Sequence, residues 1–429
     1  MKKMKNNKLC VVGLGYIGLP TAAVFAENDW EVTGVDIDPI AVDEINRGKA
    51  HIKENGLDEV VGRVVEEGKL VARMSPVEAD VFIIAVPTPH NEDLTANLHY
   101  VENAIKSLLP VLKKDNIIIV ESTIPPRTTR DVVEPILRQA GFISGDDIYL
   151  AHCPERVLPG KILVELYENN RIVGGINTVS AKRAADVYRT FVKGKVIETT
   201  AESAEMAKLM ENTYRDVNIA LANELTKISE GLDIDALEVI SLANEHPRVN
   251  IHQPGPGVGG HCLAVDPYFI IEKANEKARL ISEARSINNS MPQFVINQVK
   301  KVTDKSSKIA VCGLAYKGNV DDVRESPAIK VVEELLSENY EVQIYDPHVK
   351  QEKVGFKLST YQEALQDADI MLILTDHKEF ENLNWMDISL LMRTPIVVDT
   401  KNCVKNINRK ENYYNFGNLH ELRKSKLYV

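Results

Sequence analysis

Apolar and polar positions divide the chain into short hydrophobic runs separated by amphipathic stretches. Lys8-Leu-Cys-Val-Val-Gly13 is such a run. A helical pattern over residues 19–28 follows it, and then a second run, Glu31-Val-Thr-Gly-Val-Asp36. Further runs at residues 80–86, 116–121 and 147–154 lead into Pro87-Thr88-Pro89, Ser122-Thr123-Ile-Pro-Pro and Glu155-Arg156-Val157. Short, continuously apolar strands alternating with helices predict a parallel sheet covered on both faces. Residues 201–230 contain neither Pro nor Gly. Thr199-x-x-Glu202 predicts a capping box at the start of this long helix, and Gly231 its stop. A helix of that length spans roughly 45 Å. Residues 234–244 continue as a second helix, and residues 272–302 as another with a kink at Pro292.

The opening pattern then returns. Lys308-Ile-Ala-Val-Cys-Gly313-Leu-Ala-Tyr-Lys317 follows the plan of residues 8–17, and Tyr340-Glu-Val-Gln-Ile-Tyr-Asp346 that of residues 30–36. The run at 368–374 matches the one at 79–85, and residues 395–401 form a last strand ending in Lys401. The predicted fold class is therefore α/β: two doubly wound, Rossmann-like domains joined by a long central helix and a helical domain. The boundaries fall at residues 1–199, 200–302 and 303–429.

Composition narrows the function. A 44% hydrophobic and 26% charged chain is an ordinary globular one. The net charge of −11 disfavours a nucleic-acid or anionic-membrane partner, so cations for an anionic ligand must be local. The five cysteines are scattered with no CxxC pair, which signals neither a disulfide framework nor a metal site and fits a reducing, cytoplasmic compartment. The basic first residues lead into a run too short for a signal peptide or a membrane span.

The chemistry sits at strand ends. Gly13-x-Gly15-Tyr16-Ile17-Gly18 lies between a strand and a helix, with Asp36 at the end of the next strand. That context is the dinucleotide fingerprint. The pyrophosphate would lie on the helix N-terminus. Asp36 would accept from the ribose and repel a 2′-phosphate, so NAD is expected rather than NADP. Thr88 and Thr123 occupy the ligand end of their strands. The second copy replaces the middle glycine by Ala315 and adds Lys317, which with Arg324 suits a diphosphate. On the long helix, Lys208, Asn212 and Arg215 share a face. They fit an anionic ligand, although a solvated polar stripe has the same spacing. Between the two α/β units lies His252-Gln-Pro-Gly-Pro-Gly-Val-Gly-Gly-His-Cys262-Leu-Ala-Val-Asp266, a Pro/Gly loop that presents one thiol. Alone it also reads as a turn around a buried cysteine.

Together these residues resemble the UDP-glucose/GDP-mannose dehydrogenase family over nearly the whole chain. The resemblance rests on Gly13-x-Gly15-Tyr-x-Gly18, Pro87-Thr88-Pro89, Glu121-Ser-Thr, Pro154-Glu155-Arg156, Lys208-x-x-x-Asn212, Gly259-Gly-His-Cys262, Asp266-Pro, and residues 313–317 through 322–327. Residues 246–266 are similar to the branch acting on UDP-N-acetylhexosamines, UDP-N-acetyl-D-mannosamine foremost. Relatives often carry a basic residue shortly after the ribose-binding acid, and here that stretch reads Asp36-Ile-Asp-Pro-Ile. The resemblance implies NAD binding in residues 1–199 and UDP-sugar binding in residues 303–429. It also implies oxidation of a sugar C6 alcohol to the acid with two NAD+. Cys262 would capture the aldehyde as a thiohemiacetal and then carry a thioester. Lys208 and Asp266 are both candidates for the base, directly or through water. Asn212 and Lys208 would stabilise the oxyanion, and Glu155 would orient the hydrolytic water. Implied cofactor contacts are Gly13, Gly15, Tyr16, Ile17, Gly18, Asp36, Thr88, Thr123 and Arg324. Implied substrate contacts are Arg156, Val157, Lys208, Asn212, Arg215, Gly259, Tyr316, Lys317 and Lys401. His246 and Arg248 would reach the site of a neighbouring subunit, with the central helices forming a homodimer or part of a larger assembly.

Overall fold

Buried β-branched runs make the strands, and each run feeds a helix that covers it. The computed structural model describes residues 7–406 and 412–425. Its first sheet has eight strands: β1 (Lys8–Val12), β2 (Glu31–Val35), β3 (Leu70–Arg73), β4 (Val81–Ile84), β5 (Ile117–Val120), β6 (Tyr149–His152), β7 (Arg171–Gly175) and β8 (Val196–Thr200). Their order is β3-β2-β1-β4-β5-β6-β7-β8. All neighbours are parallel except β6 and β7. The order reverses between β1 and β4, and the carboxyl ends beside that point are where open α/β sheets hold ligands. The second sheet has β9 (Lys308–Cys312), β10 (Glu341–Tyr345), β11 (Ile370–Ile373), β12 (Ile396–Asp399) and β13 (Asn412–Asn415), all parallel in the order β10-β9-β11-β12-β13. The α/β class with Rossmann-like sheets is therefore observed. β4, β5, β6, β11 and β12 are buried along their whole length, as the unbroken apolar runs require.

Seven helices matter for the site: α1 (Gly18–Glu27), α2 (Ala201–Leu232), α3 (Ala236–Asn244), α4 (Asp266–Ala274), α5 (Arg279–Asn289), α6 (Met291–Lys300) and α7 (Pro327–Ser337). The chain divides into two compact units, Met1–Glu211 with Tyr268–Ala274, and Asn212–Pro267 with Asn275–Val429. No helix among the described residues is long and apolar enough to cross a membrane.

Three local expectations are corrected. Thr199 belongs to β8, and the α2 cap is Thr200, whose hydroxyl accepts from Ser203 N at 3.2 Å. Glu202 pairs with Arg130 instead of closing a capping box. Gly231 lies inside α2, which ends one residue later at Leu232. Residues 272–302 hold the end of α4, a 3-10 turn at Asn275–Lys277, α5 and α6 in place of one helix. Pro292 sits in the first turn of α6, where its missing N–H costs nothing, rather than at a kink.

Candidate active site

In the first unit the glycine loop shows which glycines the fold demands. A Cβ on Gly18 would stand 1.7 Å from the Gly13 carbonyl oxygen, so only glycine lets α1 start against that loop. A Cβ on Gly15 would meet nothing within 4 Å. Gly15 therefore borders open space that no protein atom fills. The first turn of α1 has no side-chain cap and no acidic residue, which leaves its amides to an anion. Asp36 follows β2 directly, with Oδ2 accepting from Leu14 N at 2.8 Å and Oδ1 from Asp38 N at 3.0 Å. Tyr16 is exposed and Ile17 half-buried. Ile37 and Ile40 flank Asp36 as exposed apolar side chains. No regular periodicity marks these two isoleucines in the sequence. The residues present fit NAD: an open glycine cradle, an uncapped helix start and a ribose-side acid.

At the carboxyl ends of β4 and β5, Thr88 Oγ1 donates to Thr123 O at 2.5 Å, which ties the two threonine loops together. Lys208 is buried on the first half of α2. Burial, with Lys208 nearby, holds the His152 imidazole down at about 3, so it is neutral. Glu155 has a nearly buried side chain. Its Oε1 accepts from Arg156 N at 2.7 Å and its Oε2 from Arg171 at 2.6 Å. Arg171 lies 4.0 Å from the buried Glu121 carboxylate, which also accepts from Tyr188 Oη at 2.6 Å and from Thr21 Oγ1. Burial pushes the Glu121 carboxyl up to about 7 against the pull of Arg171. Arg171 had no motif to mark it. Its part emerges only when β7 turns back antiparallel to β6 and brings it to Glu155. The Arg156 guanidinium is held by Glu211 and by the Asn170 carbonyl, and Val157 is half-buried.

In the second unit the Pro/Gly loop lies on the 313–327 segment that follows β9. A Cβ on Gly259 would stand 2.6 Å from the Glu325 carbonyl oxygen and 2.8 Å from Tyr316 Cβ. Gly260 has φ +84° against the Tyr316 ring and donates its N–H to Arg324 O at 3.0 Å. This close approach explains the glycines. Cys262 is partly exposed and near enough to Tyr316 and Arg324 to interact electrostatically with both. Its carbonyl accepts from Asp266 N at 2.9 Å, which starts α4. Asp266 is buried and accepts from Asn212 Nδ2. Arg215, exposed, donates to Asn212 Oδ1. Asn212 and Asp266 are thus brought together, with Arg215 behind them. Lys401 lies beside Gly255 and 3.6 Å from Asp376. Lys317 is exposed, and Arg324 forms a bidentate pair with Asp322. His246 and Arg248 are exposed after α3.

The second fingerprint is closed where the first is open. Asp346, the counterpart of Asp36, accepts from Leu314 N, Ala315 N, His348 N, Val349 N and His377 Nε2. Despite its burial, these bonds, that to His377 first, hold Asp346 down at about 2. Ala315 is buried. A dinucleotide ribose therefore finds no free acceptor there. His348, His377 and Glu379 also cluster, but His377 spends Nε2 on Asp346 and accepts from Asn319 N at Nδ1, which leaves it no free nitrogen for a metal.

The sequence matches three profiles of one family, described as UDP-glucose/GDP-mannose dehydrogenase family: the NAD binding domain over residues 7–192, the central domain over residues 202–290, and the UDP binding domain over residues 310–406. The solved structure of a UDP-N-acetyl-mannosamine dehydrogenase from S. aureus superposes with a TM-score of 0.89 at 54% identity, covering 97% of this chain and 100% of that one. A UDP-N-acetyl-D-mannosamine dehydrogenase of Methanocaldococcus jannaschii is 48% identical over 94% of this chain and 95% of its own. An NDP-N-acetyl-D-galactosaminuronic acid dehydrogenase of Ralstonia nicotianae is 45% identical over 92% of this chain and 95% of its own.

Proposed function

Because this chain belongs to the UDP-glucose/GDP-mannose dehydrogenase family and is an NAD-dependent dehydrogenase of UDP-sugars, we propose that it oxidises the C6 alcohol of UDP-N-acetyl-D-mannosamine to the carboxylate. The change is four electrons. Bound NAD supplies the hydride acceptor for each of the two oxidations. Lys208, Asp266 or a water they hold takes the C6 hydroxyl proton in the first. The Cys262 thiol then adds to the aldehyde carbon, with its proton moving to the oxygen, and the thiohemiacetal stays attached. After the second oxidation the same carbon is a thioester. Glu155, an acceptor fixed by Arg171, orients the water that breaks the C–S bond and restores the thiol. The Lys208 ammonium and the Asn212 amide face the oxyanion.

In this reading Gly13, Gly15, Tyr16, Ile17 and Gly18 lie under the pyrophosphate, Asp36 binds the ribose, and Ile37 with Ile40 supports the adenine. Thr88 and Thr123 border the nicotinamide, and Arg324 contributes to the cofactor side. Arg156, Val157, Arg215, Gly259, Tyr316, Lys317 and Lys401 receive the UDP-sugar. His246 and Arg248 reach a neighbouring subunit. Met210, Tyr214, Leu221, Ile228 and Leu232 support that assembly. They are exposed and fall on one stripe of α2, the kind of face a second copy covers.

The single observation behind the reading is the placement of Cys262. It is a partly exposed thiol next to Tyr316 and Arg324, four residues from an Asp–Asn pair, whereas Cys10, Cys153 and Cys312 are buried and the partly exposed Cys403 lies against the Asp399 carboxylate, where burial and that carboxylate push the thiol up. The mannosamine assignment draws on the relatives' names. It is tested by incubating the enzyme and NAD+ with the UDP derivatives of N-acetylmannosamine, N-acetylglucosamine and N-acetylgalactosamine, and identifying the acid by mass spectrometry. Preference for the manno epimer is expected. Preference for another epimer overturns the substrate assignment.

A further inference from the structure

The loop that carries Cys262 begins Pro254-Gly255-Pro256, and proline has no N–H. Gly255 therefore offers the one amide donor in those three residues. Its N–H donates at 2.9 Å to Oδ1 of Asn223, a fully buried side chain on α2. Asn223 Nδ2 donates to Asn288 Oδ1 on α5 at 2.9 Å. Asn288 Nδ2 donates to Asp216 Oδ1 at 2.8 Å and to its carbonyl at 3.0 Å. Arg285 ends the line, donating to Asp216 Oδ1 at 2.6 Å. All four side chains are at least nine-tenths buried.

A guanidinium only donates and a carboxylate only accepts. Asp216 must therefore receive Asn288 Nδ2, which leaves Asn288 Oδ1 to receive Asn223 Nδ2. Asn223 then has only its oxygen left for the loop. The direction is fixed at the charged end and handed on to Gly255. Two shorter ties flank it: His252 N donates to Asn218 Oδ1 at 3.0 Å, and Asn244 both donates to and accepts from Ile251.

We propose that Arg285, Asp216, Asn288 and Asn223 are positioning residues whose one-directional line of hydrogen bonds sets the register of residues 254–262 and so the place of the Cys262 sulfur. This rests on the reading of Cys262 as the nucleophile. A misplacement of about 1 Å can cost on the order of a hundredfold in rate.

The test uses full-length Asn223→Ala and Asn223→Asp. Alkylation of each cysteine by iodoacetamide is followed by peptide mass spectrometry, with acid formed per NADH measured alongside. Asn223→Ala is expected to change the Cys262 alkylation rate at least threefold while buried Cys10 and Cys312 stay protected, and to lower acid turnover tenfold or more. In Asn223→Asp the neutral carboxyl presents one donor and one acceptor, as asparagine does. Its acid turnover relative to wild type is therefore expected to rise as pH falls, whereas the ionised carboxylate of that variant loses the donor toward Asn288 in a line that already holds Asp216. Wild-type alkylation and turnover in Asn223→Ala, or an Asn223→Asp profile parallel to wild type, overturns the proposal. If Asn223→Ala fails to fold, the pH comparison alone decides. Failure of the nucleophile reading is separate: Cys262→Ser would then still make acid, whatever the alkylation rates show.

Discussion

Gly15 and Gly18 differ by three positions and should fail in opposite ways. An alanine methyl at position 18 would sit 1.7 Å from a backbone oxygen, far inside contact distance, and neither partner is a flexible side chain. Overpacking of ordinary cores costs about 1–3 kcal/mol, and a backbone collision of this depth should exceed that range. At position 15 the same methyl meets no protein atom, and Gly15 is not among the residues with positive φ. Gly15→Ala should therefore change stability by less than about 1 kcal/mol, and slightly upward through the unfolded chain. The methyl does enter the space assigned to the pyrophosphate. A loss of about 1.4 kcal/mol in binding is tenfold in affinity, and at least that is expected. Thermal melts of the free enzyme and calorimetric titration with NAD+ separate the two variants. Gly15→Ala should melt with the wild type but bind NAD+ at least tenfold more weakly, and Gly18→Ala should melt far lower. Wild-type NAD+ affinity in Gly15→Ala would refute the placement of the cofactor over that glycine.

Other consequences concern buried carboxyls and the exposed helix stripe. The Glu121 carboxyl is raised from 4.5 to about 7, so its contribution favours the native state fully below pH 4.5 and is lost as pH rises through about 7. That window is worth on the order of 3 kcal/mol, and Glu121→Gln should flatten the fall of urea stability across it. An unchanged slope counts against the assignment. Asp346 is shifted the other way, from 3.8 down to about 2, so its stabilisation is present above pH 3.8 and lost as pH falls through about 2. Asp346→Asn should cost about 2 kcal/mol or more at neutral pH in denaturant titrations, and a neutral result would show that its five bonds do not hold the loop after β9. Leu221→Glu, at the centre of the α2 stripe, should lower the mass seen by light scattering. A wild-type enzyme that is already a monomer would contradict the proposed homodimer or larger assembly.

The parts of the fold that a single segment encodes were legible in the sequence. Residues 8–36 carry a strand, a glycine turn, a helix and an acid in one stretch, and their echo at residues 308–346 exposed the second α/β unit. The damaged copy even pointed to a different ligand, because Ala315 replaces Gly15, the one of Gly13, Gly15 and Gly18 that borders open space. Features that depend on the return of the chain were hidden. Arg171 meets Glu155 only across an antiparallel turn in an otherwise parallel sheet. Asn223 and Asn288 are 65 positions apart and lie on helices whose contact no local period reveals. Local rules also misled where two candidates stood side by side. Thr199 and Thr200 can each cap a helix and both pair with β7, but it is the Thr200 hydroxyl that accepts from Ser203 N. Gly231 ranks as a helix stop by propensity, yet α2 continues through it.

The central claim is that Cys262 carries the substrate between two oxidations. It is tested most directly by counting NADH and acid in single turnovers of wild type and Cys262→Ser with the preferred UDP-N-acetylhexosamine. The wild type should yield two NADH per acid, and quenched enzyme should carry the sugar on the Cys262 peptide. Cys262→Ser should bind NAD+ normally and form no acid. Undiminished acid production by Cys262→Ser, with two NADH released, would contradict the covalent mechanism outright.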